Sequence, residues 1–214
     1  MKIPRFMLAV ALVSMGTLGT ARTGAASVIG VGVGAFGAGS TLTTFDGQVE
    51  FAEVHGLTVD GILFRYSLGA GDVHLDGGPG VTNNITPLNI VSFADNSGTL
   101  SMTLPFAVDT FGYGFAILST SAVPAATTMS LFDGATLVGS LSYAGGPDPL
   151  WTGGFAGIHS TLPFNRVEVT FDTIVADQFA LDNVRTFNAV PEPTSLLLLG
   201  SGLVGLVRWR RRRT

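Results

Sequence analysis

The residues best suited to chemistry are three oxygen-bearing side chains near the end of the chain, Asp177, Asp182 and Asn183. Carboxylate and carboxamide oxygens are the ligands that Ca²⁺ prefers in proteins. These residues are therefore the candidate site for a structural Ca²⁺ ion, with an ordinary turn or bulge as the alternative. We expect no other cofactor.

Other candidate groups have structural explanations. Asp72, His74 and Asp76 alternate along one face of a predicted strand, which is typical of a solvated strand face. The sequence holds no Gly-x-Ser-x-Gly elbow that would activate a serine nucleophile. His159 beside Ser160 is typical of an exposed loop pair. We therefore expect no catalytic residues and no enzymatic activity, with a secreted hydrolase as the least favoured alternative.

Gly32, Gly34 and Gly37 match the G-x-G-x-x-G pattern of dinucleotide-binding proteins in spacing alone. That fingerprint works between a strand and a helix of a βαβ unit, with an acidic residue about 20 positions later. The surrounding sequence lacks this context. We interpret the three glycines as a flexible lead-in to the domain.

Trp151 is the candidate for binding a ligand, because an exposed aromatic ring can stack on the face of a sugar. It lies in a stretch rich in proline and glycine, Pro147 to Gly154, which predicts a loop with a partly exposed ring. A tryptophan that caps the edge of the fold is the structural alternative.

These candidates must be positioned by β-strands, because apolar residues alternate with small or polar ones and helical periodicity is absent. The clearest alternating runs are Leu100-Met102-Leu104-Phe106, Leu137-Gly139-Leu141-Tyr143 and Val167-Val169-Phe171. Asp133-Gly134 predicts a two-residue hairpin turn, since both residues tolerate positive φ. The pattern therefore predicts an all-β protein that folds as one β-sandwich.

The last predicted strand changes phase part-way along. Phe179 and Leu181 share one face, but Val184 falls on the other, which predicts a β-bulge at Asp182-Asn183. The stretch from residue 154 to 184 is similar to the closing strands of jelly-roll domains. That similarity implies a jelly-roll-like sandwich.

The charge of the central region limits its partners. Between Ser27 and Pro193 three arginines face fifteen acidic residues, a net charge of −12, whereas the whole chain carries −4. Such a region repels phosphate groups, so we expect no nucleic-acid partner. The chain has no cysteine, which excludes disulfides, thiolate metal sites and a cysteine nucleophile.

Residues 1–26 have the pattern of a secretory signal peptide. Lys2 and Arg5 form a positive start, Phe6 to Leu18 is mostly apolar, and small residues follow. We predict a signal helix that signal peptidase removes after Ala25 or Ala26, with an uncleaved membrane anchor as the alternative. This leaves one domain, residues 27–189.

Residues 190–214 have three components in a fixed order. Val190, Pro191, Glu192 and Pro193 must be extended, because each proline restricts its own φ and the residue before it. Ser195 to Val207 is apolar but short for a hydrocarbon layer of about 30 Å. We predict a short transmembrane helix, held by a basic end that stays in the cytoplasm. That end consists of Arg208, Trp209, Arg210, Arg211, Arg212 and Arg213.

The order of Pro-Glu-Pro, a short apolar segment and a terminal arginine cluster resembles the PEP-CTERM sorting domain. The resemblance implies that the protein is a substrate of an exosortase, a membrane-embedded transpeptidase of Gram-negative bacteria that make exopolysaccharide. Residues 190–193 would then be recognition residues, and residues 208–213 would stop and orient the chain in the membrane. A permanent tail anchor is the alternative.

These observations predict a protein that is exported, anchored once in the inner membrane, and processed for display on the cell surface or in the biofilm matrix. We expect the domain at residues 27–189 to be structural or adhesive. A carbohydrate-binding module that recognises exopolysaccharide is the alternative.

Overall fold

The computed structural model describes residues 26–79, 85–93, 97–148, 151–172, 174–175 and 177–188. The predicted signal and membrane helices lie outside these residues. The described chain is built from strands, with a single 3₁₀ turn at Val33–Ala35. The strands are β1 (Val28–Gly30), β2 (Thr41–Thr43), β3 (Thr58–Val59), β4 (Ile62–Tyr66), β5 (Val73–Asp76), β6 (Asn89–Ser92), β7 (Leu100–Ile117), β8 (Val123–Asp133), β9 (Thr136–Asp148), β10 (Trp151–Phe171) and β11 (Phe179–Phe187).

Two long strands, β7 and β10, pass through both layers of the fold. They pair antiparallel over two stretches, residues 110–117 with 152–159 and residues 100–108 with 164–169. The register shifts between these stretches, as expected where paired strands bend. The first layer contains β5, β6, β2, β11 and β1, together with residues 110–117 of β7 and residues 152–159 of β10. The second contains β3, β4, β8, most of β9 and the remaining halves of β7 and β10.

One hydrophobic core joins the two layers. Phe171 of the second layer stacks on Phe179 of the first, with ring centroids 4.1 Å apart. The hydroxyls of Tyr113 and Thr127 meet at 2.7 Å in the same interior. Burial of a phenylalanine contributes on the order of 2 kcal/mol, so such contacts stabilise the packing of the layers. The prediction of an all-β sandwich is confirmed.

The predicted hairpin between β8 and β9 is confirmed, but its turn is displaced by one residue. Asp133 pairs with Thr136, so the turn consists of Gly134 and Ala135. Gly134 has a φ of 57°, the conformation that favours glycine. Asp133 instead continues the strand.

The expectation that Phe106 continues the buried face of β7 is wrong. Its side chain is 55% exposed, whereas Leu104 is buried. Phe106 lies next to Pro105 in the part of β7 where the register with β10 shifts. The bend between the layers turns this side chain towards solvent.

Candidate functional site

Asp182 lies where the neighbour of β11 changes. β6 pairs with residues 180–181 of β11, and β2 pairs with residues 184–186. The register with β7 shifts between Asp182 and Arg185, and Asn183 has a φ of 52°. The predicted bulge at Asp182-Asn183 is confirmed, and it faces the gap between β6 and β2.

The side chains of Asp182 and Asn89 enclose Thr86. Asp182 Oδ2 accepts hydrogen bonds from Thr86 N at 2.9 Å and from Thr86 Oγ1 at 2.8 Å. Asn183 Nδ2 donates to the same oxygen at 3.1 Å, and Asn89 Nδ2 donates to Thr86 O at 3.3 Å. Because Ile90 pairs with Leu181, the register places Asn89 beside Asp182 on the outer face of the first layer.

In each of these two side chains the remaining polar atom, an oxygen, has no hydrogen-bond partner. Asp182 Oδ1 and Asn89 Oδ1 are unpartnered although both residues are completely buried. An unsatisfied buried acceptor costs about 1–3 kcal/mol. Burial raises the pKa of Asp182 and the nearby Asp46 adds to the rise, whereas the hydrogen bonds from Thr86 and Asn183 oppose it. The arrangement suits a proton or a cation at these oxygens.

The structure separates one member of the predicted calcium set from the other two. Asn183 contacts Asp182, but residues 178–182 extend along β7, with Gln178 O accepting from Leu118 N. At about 3.3 Å per residue, those four steps cover about 13 Å. Asp177 precedes them and is exposed.

Sequence reasoning missed Asn89, Thr86 and Asp46 as neighbours of Asp182. Thr86 is 96 positions away from Asp182 along the chain. Local alternation describes which face of one strand is buried, but it does not state which strands become neighbours. The sequence pointed to Asp182 itself through its carboxylate and through the odd phase of the last strand.

Trp151 begins a strand, so the loop expected around it is wrong. It pairs with Asp148 of β9, and Thr152 pairs with Pro147. The indole is half-buried on the outer face of the first layer. There it packs on a small apolar cluster formed by Ile85, Val91, Ala116 and Ala180. Part of the ring remains accessible to a ligand.

Glu53 lies in a segment that hydrogen-bonds along the outer side of β5, where Glu53 forms a β-bridge with His74. Its Oε2 accepts a hydrogen bond from Gly71 N at 2.7 Å and lies 3.4 Å from His74 Nε2. Its Oε1 accepts from His55 N at 3.1 Å. In the described part of the chain, no three histidine or acidic side chains converge as metal ligands.

His159 lies in β10, not in a loop as expected, and it contacts Thr110 and Asp109. Thr110 Oγ1 donates to Asp109 Oδ1 at 2.7 Å and is 2.9 Å from His159 Nδ1. Asp109 Oδ1 is 3.8 Å from the same Nδ1. In a catalytic triad the carboxylate and the nucleophile use different ring nitrogens. The arrangement here does not form such a relay. Ser160, also in β10, is buried on the opposite face.

The glycine-rich lead-in packs on the first layer. Phe36 meets Phe155 edge to face, with centroids 5.7 Å apart. Val31 N donates to Gly157 O at 2.7 Å. A ring contact and a backbone hydrogen bond therefore attach this segment to the sandwich, whereas a Cβ at Gly32, Gly34 or Gly37 would have no neighbouring atom within 4 Å.

The strand β9 forms an edge of the second layer. Residues 136–143 pair on one side with β8, and the described residues contain no strand paired on their other side. Residues 136–146 contain neither a charged residue nor a proline. Leu137 is 57% exposed there and borders a cleft of about 370 Å³ that also contacts Leu162. Natural edge strands are usually blocked by charges, prolines or bulges. This edge has no charge or proline to block it, but it has a bulge at Val138, since Gly139 and Leu137 pair with the consecutive residues Leu131 and Phe132.

The end of β11 is fixed to β7. Asn188 follows β11 directly, and its Oδ1 accepts a hydrogen bond from Asp109 N at 3.0 Å. Its Nδ2 donates to Ala107 O at 3.3 Å. The sorting residues 190–193 and the membrane-stop residues 208–213 lie outside the described residues.

Comparison with known protein families finds the PEP-CTERM protein-sorting motif at residues 189–213. The chain carries a PEP-CTERM sorting motif. The motif implies an exported protein with a C-terminal anchor that an exosortase processes. In the part of the chain that the structure describes, no helix is both long and apolar enough to cross a membrane.

Several solved structures are similar to this chain in fold. The adhesin domain K2 of Lys-gingipain is 13% identical, with a TM-score of 0.47 over 72% of this chain and 100% of that domain. A variant of a family 29 carbohydrate-binding module is 12% identical, with a TM-score of 0.40 over 73% of this chain and 99% of the module. The catalytic domain of an α-1,3-glucanase is 11% identical, with a TM-score of 0.39 over 71% of this chain and 28% of that domain. A search of curated proteins finds no matching sequence.

Proposed function

We propose that this protein is a non-catalytic structural or adhesive component that exosortase processing delivers to the cell surface or extracellular matrix of a Gram-negative bacterium. Signal peptidase removes residues 1–26 during export. Residues 190–193 then present the extended recognition site, while residues 208–213 hold the apolar segment in the membrane. The sorting motif at residues 189–213 is the observation that carries this proposal.

The position of the motif supports display of the sandwich close to the membrane. β11 ends at Phe187, Asn188 is hydrogen-bonded to β7, and the motif begins at the next residue. β11 pairs with β7 on one side and with β6 and β2 on the other. Any attachment at the C-terminal end of the domain therefore pulls on a strand that is hydrogen-bonded along both edges, which suits a component that bears load.

The edge of β9 supports self-association in the matrix. Its unpaired backbone groups offer a template for another strand at a spacing of about 4.8 Å. Beyond the bulge at Val138, the uncharged sequence of residues 139–146 does not oppose such pairing. A second copy of β9 in antiparallel orientation would satisfy both edges at once, since a two-fold interface uses the same surface on both partners.

Sedimentation of the protein recovered from the cell surface tests this role. We expect concentration-dependent association that Leu137→Lys reduces, because a lysine on an edge strand opposes pairing. Thr103→Lys is the matched control. Thr103 is exposed on the same face of the second layer as Leu137, and the two belong to one row of directly paired residues that crosses the sheet. Thr103, however, lies on the central strand β7, which is paired on both sides. A protein that sediments as a monomer at all concentrations, or equal effects of both lysines, would contradict self-association through β9.

The accessible part of Trp151 favours the second candidate, a module that binds exopolysaccharide. The half-buried indole has a fixed orientation on the cluster of Ile85, Val91, Ala116 and Ala180, and such rigidity favours stacking on a sugar. A glycan array and affinity electrophoresis with the purified polysaccharide test this candidate. We expect Trp151→Ala to lose retention and Phe106→Ala, an exposed aromatic elsewhere, to keep it. Absence of binding by the unmodified protein would eliminate this candidate.

A further inference from the structure

The gap between β6 and β2 holds two buried acceptor atoms that no donor satisfies, Asp182 Oδ1 and Asn89 Oδ1. Each belongs to a side chain whose other polar atom is already bound to Thr86. The two side chains are therefore fixed in orientation before any ligand arrives. We propose that a Ca²⁺ ion binds here, held by Asp182 Oδ1, Asn89 Oδ1 and the carboxylate of Asp46.

The charges around the gap favour a cation. β2 pairs antiparallel with residues 184–186, and Thr43 at its end lies opposite Val184, so the chain that continues to Asp46 runs towards Asp182. In the described residues, neither carboxylate forms an ion pair with an arginine or a histidine. Two carboxylates without a positive partner, one of them completely buried, are costly unless a cation neutralises them.

Asp46 provides the open side of the site. It is exposed, and its Oδ2 accepts a hydrogen bond from Thr44 Oγ1 at 3.0 Å. An ion can enter from solvent at this side and keep water ligands there. The buried oxygens of Asp182 and Asn89 would complete the inner side.

The donor types select Ca²⁺ among common cations. All the donors are oxygens, and none is nitrogen or sulfur, which suits a hard cation. Ca²⁺ accepts six to eight oxygens in irregular geometry, whereas Mg²⁺ requires a near-ideal octahedron. A site with two carboxylates and one carboxamide matches the weak affinity of extracellular modules, about 0.1–1 mM.

A proton shared between Asp182 Oδ1 and Asn89 Oδ1 is the competing explanation, because it would also satisfy both atoms. The two explanations differ in their response to calcium. A proton leaves the stability independent of Ca²⁺, whereas a bound ion stabilises the folded state by mass action.

The test is thermal unfolding of the full chain in detergent, with about 10 mM Ca²⁺ and with chelator. We expect Ca²⁺ to raise the melting temperature by about 3–10 °C, given the affinity range above and the size of the domain. Titration calorimetry with Ca²⁺ alone gives the dissociation constant. Equal melting temperatures with Ca²⁺ and chelator would overturn the proposal and assign the site to a proton or a buried water.

Asp46→Asn is the decisive variant, because Asp46 is exposed and its replacement leaves the buried hydrogen bonds intact. We expect it to weaken Ca²⁺ binding at least about tenfold without lowering the melting temperature in chelator. Asp177→Asn is the matched control, since Asp177 is also exposed but lies more than about 13 Å along the strand from Asp182. We expect it to bind Ca²⁺ like the unmodified chain. Equal affinities of Asp46→Asn and the unmodified chain would place any bound ion elsewhere and refute this site.

Discussion

Replacement of Gly157 by alanine tests how the lead-in is anchored on the sandwich. A Cβ at this position would lie 2.4 Å from Val31 O and 2.7 Å from Phe155 Cε1. Val31 must then move away, which breaks the 2.7 Å hydrogen bond from its amide to Gly157 O. The lost hydrogen bond costs about 1 kcal/mol and the overpacking about 1–3 kcal/mol.

The expected total for Gly157→Ala is therefore about 2–4 kcal/mol, which corresponds to a melting temperature lower by about 5–15 °C. Thermal unfolding followed by circular dichroism measures this loss. Limited proteolysis measures release of the lead-in, which we expect to be cleaved sooner in the variant. Gly34→Ala is the matched control in the same segment, because a Cβ at Gly34 has no neighbouring atom within 4 Å. Equal melting temperatures for Gly157→Ala and Gly34→Ala would refute the reasoning.

Two further predictions concern buried polar groups. The pKa of Asp182 is raised in the fold above its ordinary value of 3.8, so in chelator its contribution to stability is greatest below pH 3.8 and is lost as the pH rises through the folded pKa. We expect melting curves recorded across this pH range to show this decrease in stability for the unmodified chain. We expect Asp182→Asn to abolish the decrease. An unchanged pH dependence in the variant would contradict its assignment to Asp182. Tyr66→Phe leaves the amide of Gly98, bonded at 2.9 Å to the buried Tyr66 hydroxyl, without this acceptor, at a cost of about 1–3 kcal/mol. Tyr143→Phe should cost less stability, because Gly157 O, which accepts from the Tyr143 hydroxyl, keeps its hydrogen bond from Val31 N. Urea unfolding of the two variants measures the difference. An equal or larger loss of stability for Tyr143→Phe would contradict this reasoning.

The alternation of apolar residues was sufficient to predict the all-β sandwich and one of its hairpins. Leu100, Met102 and Leu104 all face the core as the period of two requires. The hairpin turn was displaced by one residue because only Gly134 needs positive φ, while Asp133 remains extended and pairs with Thr136.

Close approaches between strands were not predictable from local pattern. Pro147 and the nearby glycines indicated a loop, but the stretch from Trp151 onwards is a strand beside β7. A Cβ at Gly153 would lie 2.4 Å from Phe115 O, so glycine is required by proximity to the neighbouring backbone. Composition alone does not distinguish a glycine that permits a turn from one that permits such contact.

The candidate site was predictable only in part for the same reason. The odd phase of Val184 identified the bulge at Asp182, because a bulge shifts every later residue of its strand. Asn89 and Thr86 reach Asp182 through strand pairing across the sheet. That pairing follows from the whole fold, which no short sequence pattern specifies.

The removal of the C-terminal segment is the central claim, and mass spectrometry of the protein recovered from the cell surface tests it most directly. We expect the surface protein to yield peptides from residues 27–188 and none that contain Trp209 or the arginines around it. Its intact mass should fall below the encoded 22.1 kDa by the loss of both ends. Recovery of surface protein that still ends at Thr214 would contradict processing at the PEP-CTERM motif.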